Sequence, residues 1–361
     1  MQTQSKYRLL VVRLGAMGDI LHALPAVTAL RLAHPEWTID WVVEPMWSAL
    51  LTAGTTGGAT VIRDTESPTP RRPIVDKIYF ASTRQWRHNI FAAQTRKEIG
   101  ALKRSLRSEH YDAVIDFQGA LRSAVIGRMA RSRRFIGEAR PRERVASFLF
   151  TERVATRGVH VIEQDLELAR AVAGDALSAV QPMLPFDPEA EKWAGNLLPA
   201  GESAVLVNPG AGWGAKRWPV ERYAEVARAL LNRGFQVFVN AGPGELTLAD
   251  ALVQRTGGGA TPLVCSIEQL IAISRRICLA IAGDTGPLHL ACALGRPVVG
   301  IYGPTDPSRN GPFGTRFKVL RSPESRRDHA RRDAPEAGLL TITPDAVLEA
   351  AEELLYSEAA R

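Results

Sequence analysis

An apolar run of strand length, Ile277-Cys278-Leu279-Ala280-Ile281-Ala282, stops at Gly283-Asp284-Thr285-Gly286-Pro287-Leu288-His289. It gives way to a helical pattern, Leu290-Ala291-Cys292-Ala293-Leu294. A strand that passes through a glycine-flanked turn straight into a helix is half of a βαβ unit, so this stretch points to a parallel sheet covered by helices. Asp284 and Thr285 stand where N-caps stand, and their side chains can satisfy orphan amides. The same amides, with the positive end of the helix dipole, can seat a phosphate. His289 falls about one helical turn from that seat. The next apolar run, Val298–Tyr302, ends in a second turn of the same kind, Gly303-Pro304-Thr305-Asp306-Pro307.

The beginning of the chain repeats the logic. Residues 8–14 read as a buried strand, Gly15-Ala16-Met17-Gly18-Asp19 as its turn, Ile20–Leu32 as a helix with Leu21, Leu24, Val27 and Leu30 on one face, and Ile39–Val43 as the next strand. Pro25 is expected to kink that helix or to mark its true first turn. The spacing of Gly15 and Gly18 lacks the dinucleotide fingerprint, and Asp19 sets a carboxylate where a pyrophosphate would lie. Asp19 therefore reads either as a cap on the helix or as a general base that faces a sugar hydroxyl.

Between these modules the pattern continues. Strands are expected at 59–63, 78–80 and 111–117, and helices at 89–108, 122–131 and 160–173. Gln118-Gly119 closes the strand at 111–117. Three prolines in 181–190 mark an interdomain linker. Beyond it, a short helix (191–198), strands ending at 207, 239, 282 and 302, and a helix at 223–232 form a second doubly wound unit. The loop 208–219 brings Gly210, Gly212 and Gly214, which permit close backbone approach, and Lys216, a point charge for phosphate. Glu245 follows a strand, where a nucleotide ribose is commonly held. Residues 321–338 read as an exposed loop and 343–355 as an amphipathic helix. The expected division is 1–182, 183–342 and a terminal helical segment 343–361.

The 361 residues suffice for two domains, and 45% hydrophobic with 23% charged is ordinary for a soluble globular chain. With no apolar run of spanning length and no signal-peptide layout, the expectation is a cytoplasmic monomer. Cys265, Cys278 and Cys292 sit in apolar surroundings without metal spacing and are expected as buried thiols. No D-x-D clamp stands at a strand end, so neither a metal nor a cofactor is expected. Charge is uneven: Arg84 to Arg144 holds fifteen Lys/Arg against six Asp/Glu, a larger excess than the +7 of the whole chain. Such a field favours an anionic partner.

Five stretches together resemble one family: VRLGAMGDILHALPA (12–26), YDAVIDFQG (111–119), NPGAGWGAKRWP (208–219), GDTGPLHLACALGRPVVGIYGPTDP (283–307) and TITPDAVLEA (341–350). The combination is similar to glycosyltransferase family 9, the bacterial lipopolysaccharide heptosyltransferases. The resemblance implies a GT-B fold, two Rossmann-like domains facing a cleft, and a final helix that crosses back to the first domain. It implies inverting transfer from an ADP-sugar, typically ADP-heptose, to an anionic lipid-linked acceptor. Asp19 matches the base and Lys216 the lysine that neutralises the departing diphosphate. Glu245, Gly210, Gly212, Asp284, Thr285, Gly286 and His289 match the donor site. Arg84, Arg87, Gln118, Arg122 and Arg144 lie where the family gathers acceptor phosphates and carboxylates. Ala211 and Gly212 replace threonines of the first-heptose branch. KRWP is closer to the second-heptose branch, while the opening GDILHALPA leans toward the first. The acceptor is thus Kdo-lipid A, heptosyl-Kdo-lipid A or another surface glycan.

Two other classes stand beside this one. A nucleotide-sugar epimerase of the same fold needs further cleft carboxylates beyond Asp19. A non-catalytic nucleotide or nucleic-acid binder could use the basic face, but the chain lacks an aromatic-interleaved RNA-binding signature. Nucleic acid is therefore not the expected partner, and the anionic inner face of the plasma membrane is.

Overall fold

The computed structural model describes residues 6–54, the backbone of 61–63, and residues 69–174, 176–328 and 332–356. The chain divides into two compact units, Met1–Phe186 and Asp187–Arg361. The division falls inside the proline-rich stretch, four residues later than expected. Asp187 fixes it locally: its Oδ1 accepts from the amides of Glu189 and Ala190, both at 3.0 Å, and so caps the helix that opens the second unit.

The first unit runs β1 (Arg8–Val12), α1 (Met17–Ala33), β2 (Thr38–Val43), β3 (Val61–Arg63), β4 (Lys77–Phe80), α2 (Thr83–His88), α3 (Ala93–Ser108), β5 (Ala113–Asp116), α4 (Leu121–Met129), β6 (Arg134–Glu138), β7 (Glu152–Val154) and α5 (Val161–Ala173). Its sheet has the order β3-β4-β2-β1-β5-β6-β7, and every pair is parallel except β3 with β4. The order reverses at β1, whose neighbours are β2 on one side and β5 on the other. A crevice at the carboxyl ends of β1 and β5 is where such sheets take ligands.

Two expectations are corrected here. Helix α1 is not amphipathic: thirteen of its seventeen residues are buried, because it packs against α5 on the face of a sheet that is itself fully covered. Pro25 lies well inside it rather than in its first turn. The arginine-rich stretch after α4 holds two strands, β6 and β7, with Phe135 and Ile136 buried and Arg134 paired to Glu152.

The second unit runs α6 (Pro188–Leu197), β8 (Ala204–Asn208), α7 (Val220–Asn232), β9 (Gln236–Asn240), α8 (Leu246–Arg255), β10 (Thr261–Leu263), α9 (Ile267–Ser274), β11 (Leu279–Gly283), α10 (Gly286–Ala293), β12 (Val298–Tyr302), α11 (Pro307–Asn310), β13 (Phe317–Arg321) and α12 (Pro344–Tyr356). The sheet is wholly parallel, in the order β10-β9-β8-β11-β12-β13, and reverses at β8. Helix α12 buries Val347, Ala350, Ala351 and Leu354 in this unit's own core, beside Val299 and Ile301. It packs on α7 and on β11 to β13. The stretch 321–338 is not simply exposed either. Glu336 is buried and accepts from Ser325 Oγ at 2.9 Å and from the Leu339 amide at 3.0 Å. Of the three cysteines expected as buried thiols, only Cys292 is buried, while Cys265 and Cys278 are half-buried; burial pushes the thiols of Cys265 and Cys292 up to about 12.

Candidate active site

In the first unit the site is built where β1 ends. Arg13 is buried and aims at α1: Nη2 lies 3.3 Å from Asp19 Oδ1, and Nε donates to the Asp19 carbonyl at 3.1 Å. Asp19 Oδ2 accepts from the amide of Ala16 at 3.0 Å, so the carboxylate does close back on the helix start. Its side chain nonetheless stays 31% exposed. Cap and accessible carboxylate are one residue in one conformation.

Gln118 lies under this loop rather than on its surface. Its Oε1 accepts from the Leu14 amide and its Nε2 donates to the Gly15 carbonyl, each at 2.9 Å. Gln118 is in turn held by Asp116, the last residue of β5. Asp116 Oδ1 accepts from the amides of Gln118 and Gly119 at 2.7 and 2.9 Å and from Ser123 Oγ at 3.2 Å. Complete burial pushes its carboxyl up to about 6, against the pull of those bonds.

The four arginines named for the acceptor follow the carboxyl ends of β4, β5 and β6. Arg84 and Arg87 stand on α2 after β4, Arg122 on α4 after β5, and Arg144 after β6. All four are exposed, and none makes an ion pair among the described residues. Glu44 fixes the start of α2 by accepting from the Arg84 amide at 3.1 Å. These arginines and Asp19 follow the carboxyl ends of strands of one sheet and so lie along the same edge.

In the second unit the loops after β8, β9 and β11 converge. The Lys216 ammonium pairs with the Asp284 carboxylate and rests 4.3 Å from the centre of the Trp213 ring. His289 Nε2 lies 3.1 Å from the other carboxylate oxygen of Asp284. Burial alone would raise the Asp284 carboxyl. The His289 hydrogen bond and the Lys216 charge outweigh it and hold the group far below the usual carboxylate range.

Thr285 is the N-cap of α10, as expected, but neither it nor Asp284 caps with its side chain. Asp284 is drawn to two cationic or polar partners. Thr285 Oγ1 donates to the Gly283 carbonyl at 3.2 Å and accepts from Asn208 Nδ2 at 3.3 Å. The amides that open α10, Gly286 first, therefore keep their donor capacity for an anion.

Glu245 and Gly210 are brought together across two loops. The Glu245 carboxylate accepts from the Gly242 amide at 3.1 Å, and a Cβ on residue 210 would stand 2.1 Å from its Oε2. A side chain there would displace the Glu245 carboxylate. Gly212, by contrast, faces open space. Beneath both loops lies a buried amide pair. Asn240 Nδ2 donates to Asn208 Oδ1 at 2.6 Å, and Asn208 Nδ2 donates to the Gly210 carbonyl at 3.0 Å. Arg13, Asp116, Asn208 and Asn240 escaped the sequence reading. Three of them share a legible signal: each is a polar strand-ending residue preceded by at least three apolar ones. Among the described residues no group of His, Cys, Asp or Glu could hold a metal ion.

Two α/β units in one chain, each with polar side chains at the switch point of its sheet, match the GT-B fold seen in solved heptosyltransferases. Residues 99–339 match glycosyltransferase family 9 (heptosyltransferase), and the chain belongs to that family. Lipopolysaccharide heptosyltransferase 1 of Escherichia coli (strain K12) is 29% identical over 355 residues, covering 95% of this chain and 98% of its own. Lipopolysaccharide heptosyltransferase 2 of the same organism is 25% identical over 382 residues, covering 98% of this chain and 100% of its own. The structure of E. coli heptosyltransferase WaaC with ADP-2-deoxy-2-fluoro heptose superposes with a TM-score of 0.75 at 27% identity, over 96% of this chain and 99% of that one.

Proposed function

We propose that this protein transfers heptose from ADP-heptose, with inversion, to an anionic lipid-linked sugar of the lipopolysaccharide inner core, Kdo-lipid A or heptosyl-Kdo-lipid A. The observation that carries the proposal is the Lys216–Asp284–His289 cluster at the open start of α10, a seat for a sugar diphosphate in a chain of this family. WaaC, solved with an ADP-heptose analogue, supports the donor.

In the proposed reaction the acceptor hydroxyl oxygen attacks the anomeric carbon while the bond from that carbon to the diphosphate oxygen breaks. Asp19 takes the hydroxyl proton. Lys216 and the first amides of α10 receive the negative charge that gathers on departing ADP, and Glu245 holds the ribose. No metal or other cofactor takes part. Arg84, Arg87, Arg122 and Arg144 meet the acceptor's phosphates and carboxylates, for which guanidinium forks are suited. The higher identity to heptosyltransferase 1 than to heptosyltransferase 2 favours the first heptose step.

The proposal places the enzyme in the cytoplasm as a monomer that visits the inner face of the plasma membrane, with no nucleic-acid partner. Among the described residues no helix is long and apolar enough to cross a membrane. The test is a transfer assay with purified protein, chelator present, offering ADP-heptose, ADP-glucose and UDP-glucose against Kdo-lipid A and its heptosylated form. Heptosylated product from ADP-heptose alone supports the reading. Product from a UDP-sugar, or none without added metal, refutes the corresponding part.

A further inference from the structure

On the first unit, one face exposes apolar and cationic side chains together. Helix α4 packs against the short 3-10 helix Arg144–Leu149, and the two are tied at their starts. Leu121 donates its amide to Glu143 Oε2, and the Glu143 amide donates to the Gly119 carbonyl, both at 2.9 Å. The 3-10 helix is anchored from below: Ala146 and Phe150 are buried, and the Phe150 ring meets that of Phe135 edge to face at 5.1 Å. The outward side of the same helix carries Val145 and Phe148, which its three-residue repeat aligns. Phe148 is 78% exposed. Leu121 and Val125, one turn apart, are exposed on α4, which packs against this helix.

An anchored segment that displays a phenylalanine to solvent is not a frayed end, and adjacent exposed apolar side chains mark a surface that another phase covers. The charges around them identify the phase. Arg122, Arg128, Arg140, Arg142 and Arg144 are exposed on α4 and on the approach to the 3-10 helix, and none makes an ion pair among the described residues. The single acid among them, Glu143, already serves the Leu121 amide. Arginines interleaved with Phe, Leu and Val fit a layer whose outside is anionic and whose inside is hydrocarbon.

We propose that α4 and the helix Arg144–Leu149 form a membrane-docking face. On it Phe148, Val145, Leu121 and Val125 enter the headgroup boundary of an anionic phospholipid bilayer, and Arg128, Arg140 and Arg142 pair with lipid phosphates. The face follows β5 and β6, next to β1 in the sheet, so the bilayer meets the same sheet edge from which Asp19 projects. Resting on the proposed function, this edge-on seating brings a lipid-linked acceptor to the catalytic carboxylate without lifting its acyl chains from the membrane.

The experiment uses the full chain and co-sedimentation with phosphatidylcholine vesicles, with and without phosphatidylglycerol. Binding is expected to the mixed vesicles and not to the neutral ones. Phe148→Ser combined with Val145→Ser should lower partitioning by about tenfold, from apolar area no longer buried. Arg128→Gln and Arg140→Gln should each lower it about fivefold, on anionic vesicles only. All these positions are exposed, and transfer to a water-soluble, delipidated acceptor is measured in parallel and should match the parent protein. That assay separates failure of docking from failure of the proposed reaction. Equal binding to both vesicle types, or unchanged binding of the Phe148→Ser/Val145→Ser protein, overturns the docking face. So does a solution mass that doubles with concentration and reverts in that variant, because the face would then be covered by a second copy.

Discussion

The side-chain amide of Gln118 donates to the backbone carbonyl of Gly15 at 2.9 Å, across 103 residues of sequence, and so fixes the turn from which Asp19 projects. The same amide's oxygen takes the Leu14 amide, and the bond sits in a buried environment. Replacing Gln118 by Leu strands one donor and one acceptor. Leaving a buried polar group unpaired costs about 1–3 kcal/mol. The expected outcome is a lower melting temperature together with a reduced kcat and an unchanged KM for the donor, since donor residues lie in the other unit. Gln118→Glu preserves the acceptor to Leu14 only and should fall between. A donor KM that rises as steeply as kcat falls would remove Gln118 from this positioning role.

Asp19 serves as both cap and proposed base, and Asn separates the two duties. Asp19→Asn keeps an oxygen for the Ala16 amide but cannot take a proton at neutral pH. Its transfer rate should fall ~10²–10⁴-fold while stability stays within about 1 kcal/mol of the parent. Asp19→Ala should lose rate similarly and also lose the cap. ADP affinity, measured by calorimetry, should be unaltered in both; a tenfold loss would place Asp19 at the nucleotide instead.

Lys216 and Asp284 are both nearly buried, which makes their single and double variants unequal. Lys216→Ala leaves the Asp284 carboxylate without its cationic partner, and breaking a buried pair typically costs ~3–5 kcal/mol. The double variant Lys216→Ala with Asp284→Ala removes the stranded charge and should recover most of that stability. ADP affinity should stay weak in the double variant, because the cation is still missing. Thermal unfolding and calorimetry on the same three proteins decide the matter. Recovery of affinity along with stability would mean that Lys216 supports the fold alone.

These residues also show what a reader of the sequence can and cannot obtain. The turn at 283–289 was legible because an apolar run, flanking glycines and a helical pattern follow one another within eighteen residues. Asp19 and Lys216 were legible because each lies in such a turn. Arg13 was not, and Gln118 was named only for the acceptor: the hold of Gln118 on the Leu14–Gly15 loop is a contact that only the sheet's β1–β5 pairing brings close. Strands β6 and β13 were missed because charged residues bound them and β13 is only half-buried, so pairing in the sheet overrides their local pattern. Helix α1 was given one apolar face because periodicity cannot report that α5 covers the other side.

Asp116 gives a test whose readout is pH alone. Burial raises its folded value to about 6, above the usual carboxylate value near 4. The unfolded chain therefore releases its proton first as pH rises, and the folded state loses stability across that interval. The contribution is fully present below the unfolded value and gone above the folded one. Two pK units correspond to roughly 3 kcal/mol. Asp116→Asn keeps an acceptor for the Gln118 and Gly119 amides but does not titrate, so it carries a constant cost from its other side-chain atom. Asp40, whose buried carboxyl is likewise raised to about 6, shifts with the same sign in both proteins and cancels in their difference. Urea unfolding at pH values between 4 and 7 should show the stability of Asp116→Asn relative to the parent improving as pH rises. A difference that is flat with pH, or that runs the other way, would show that Asp116 stays ionised in the fold through this range and is satisfied by the turn it holds.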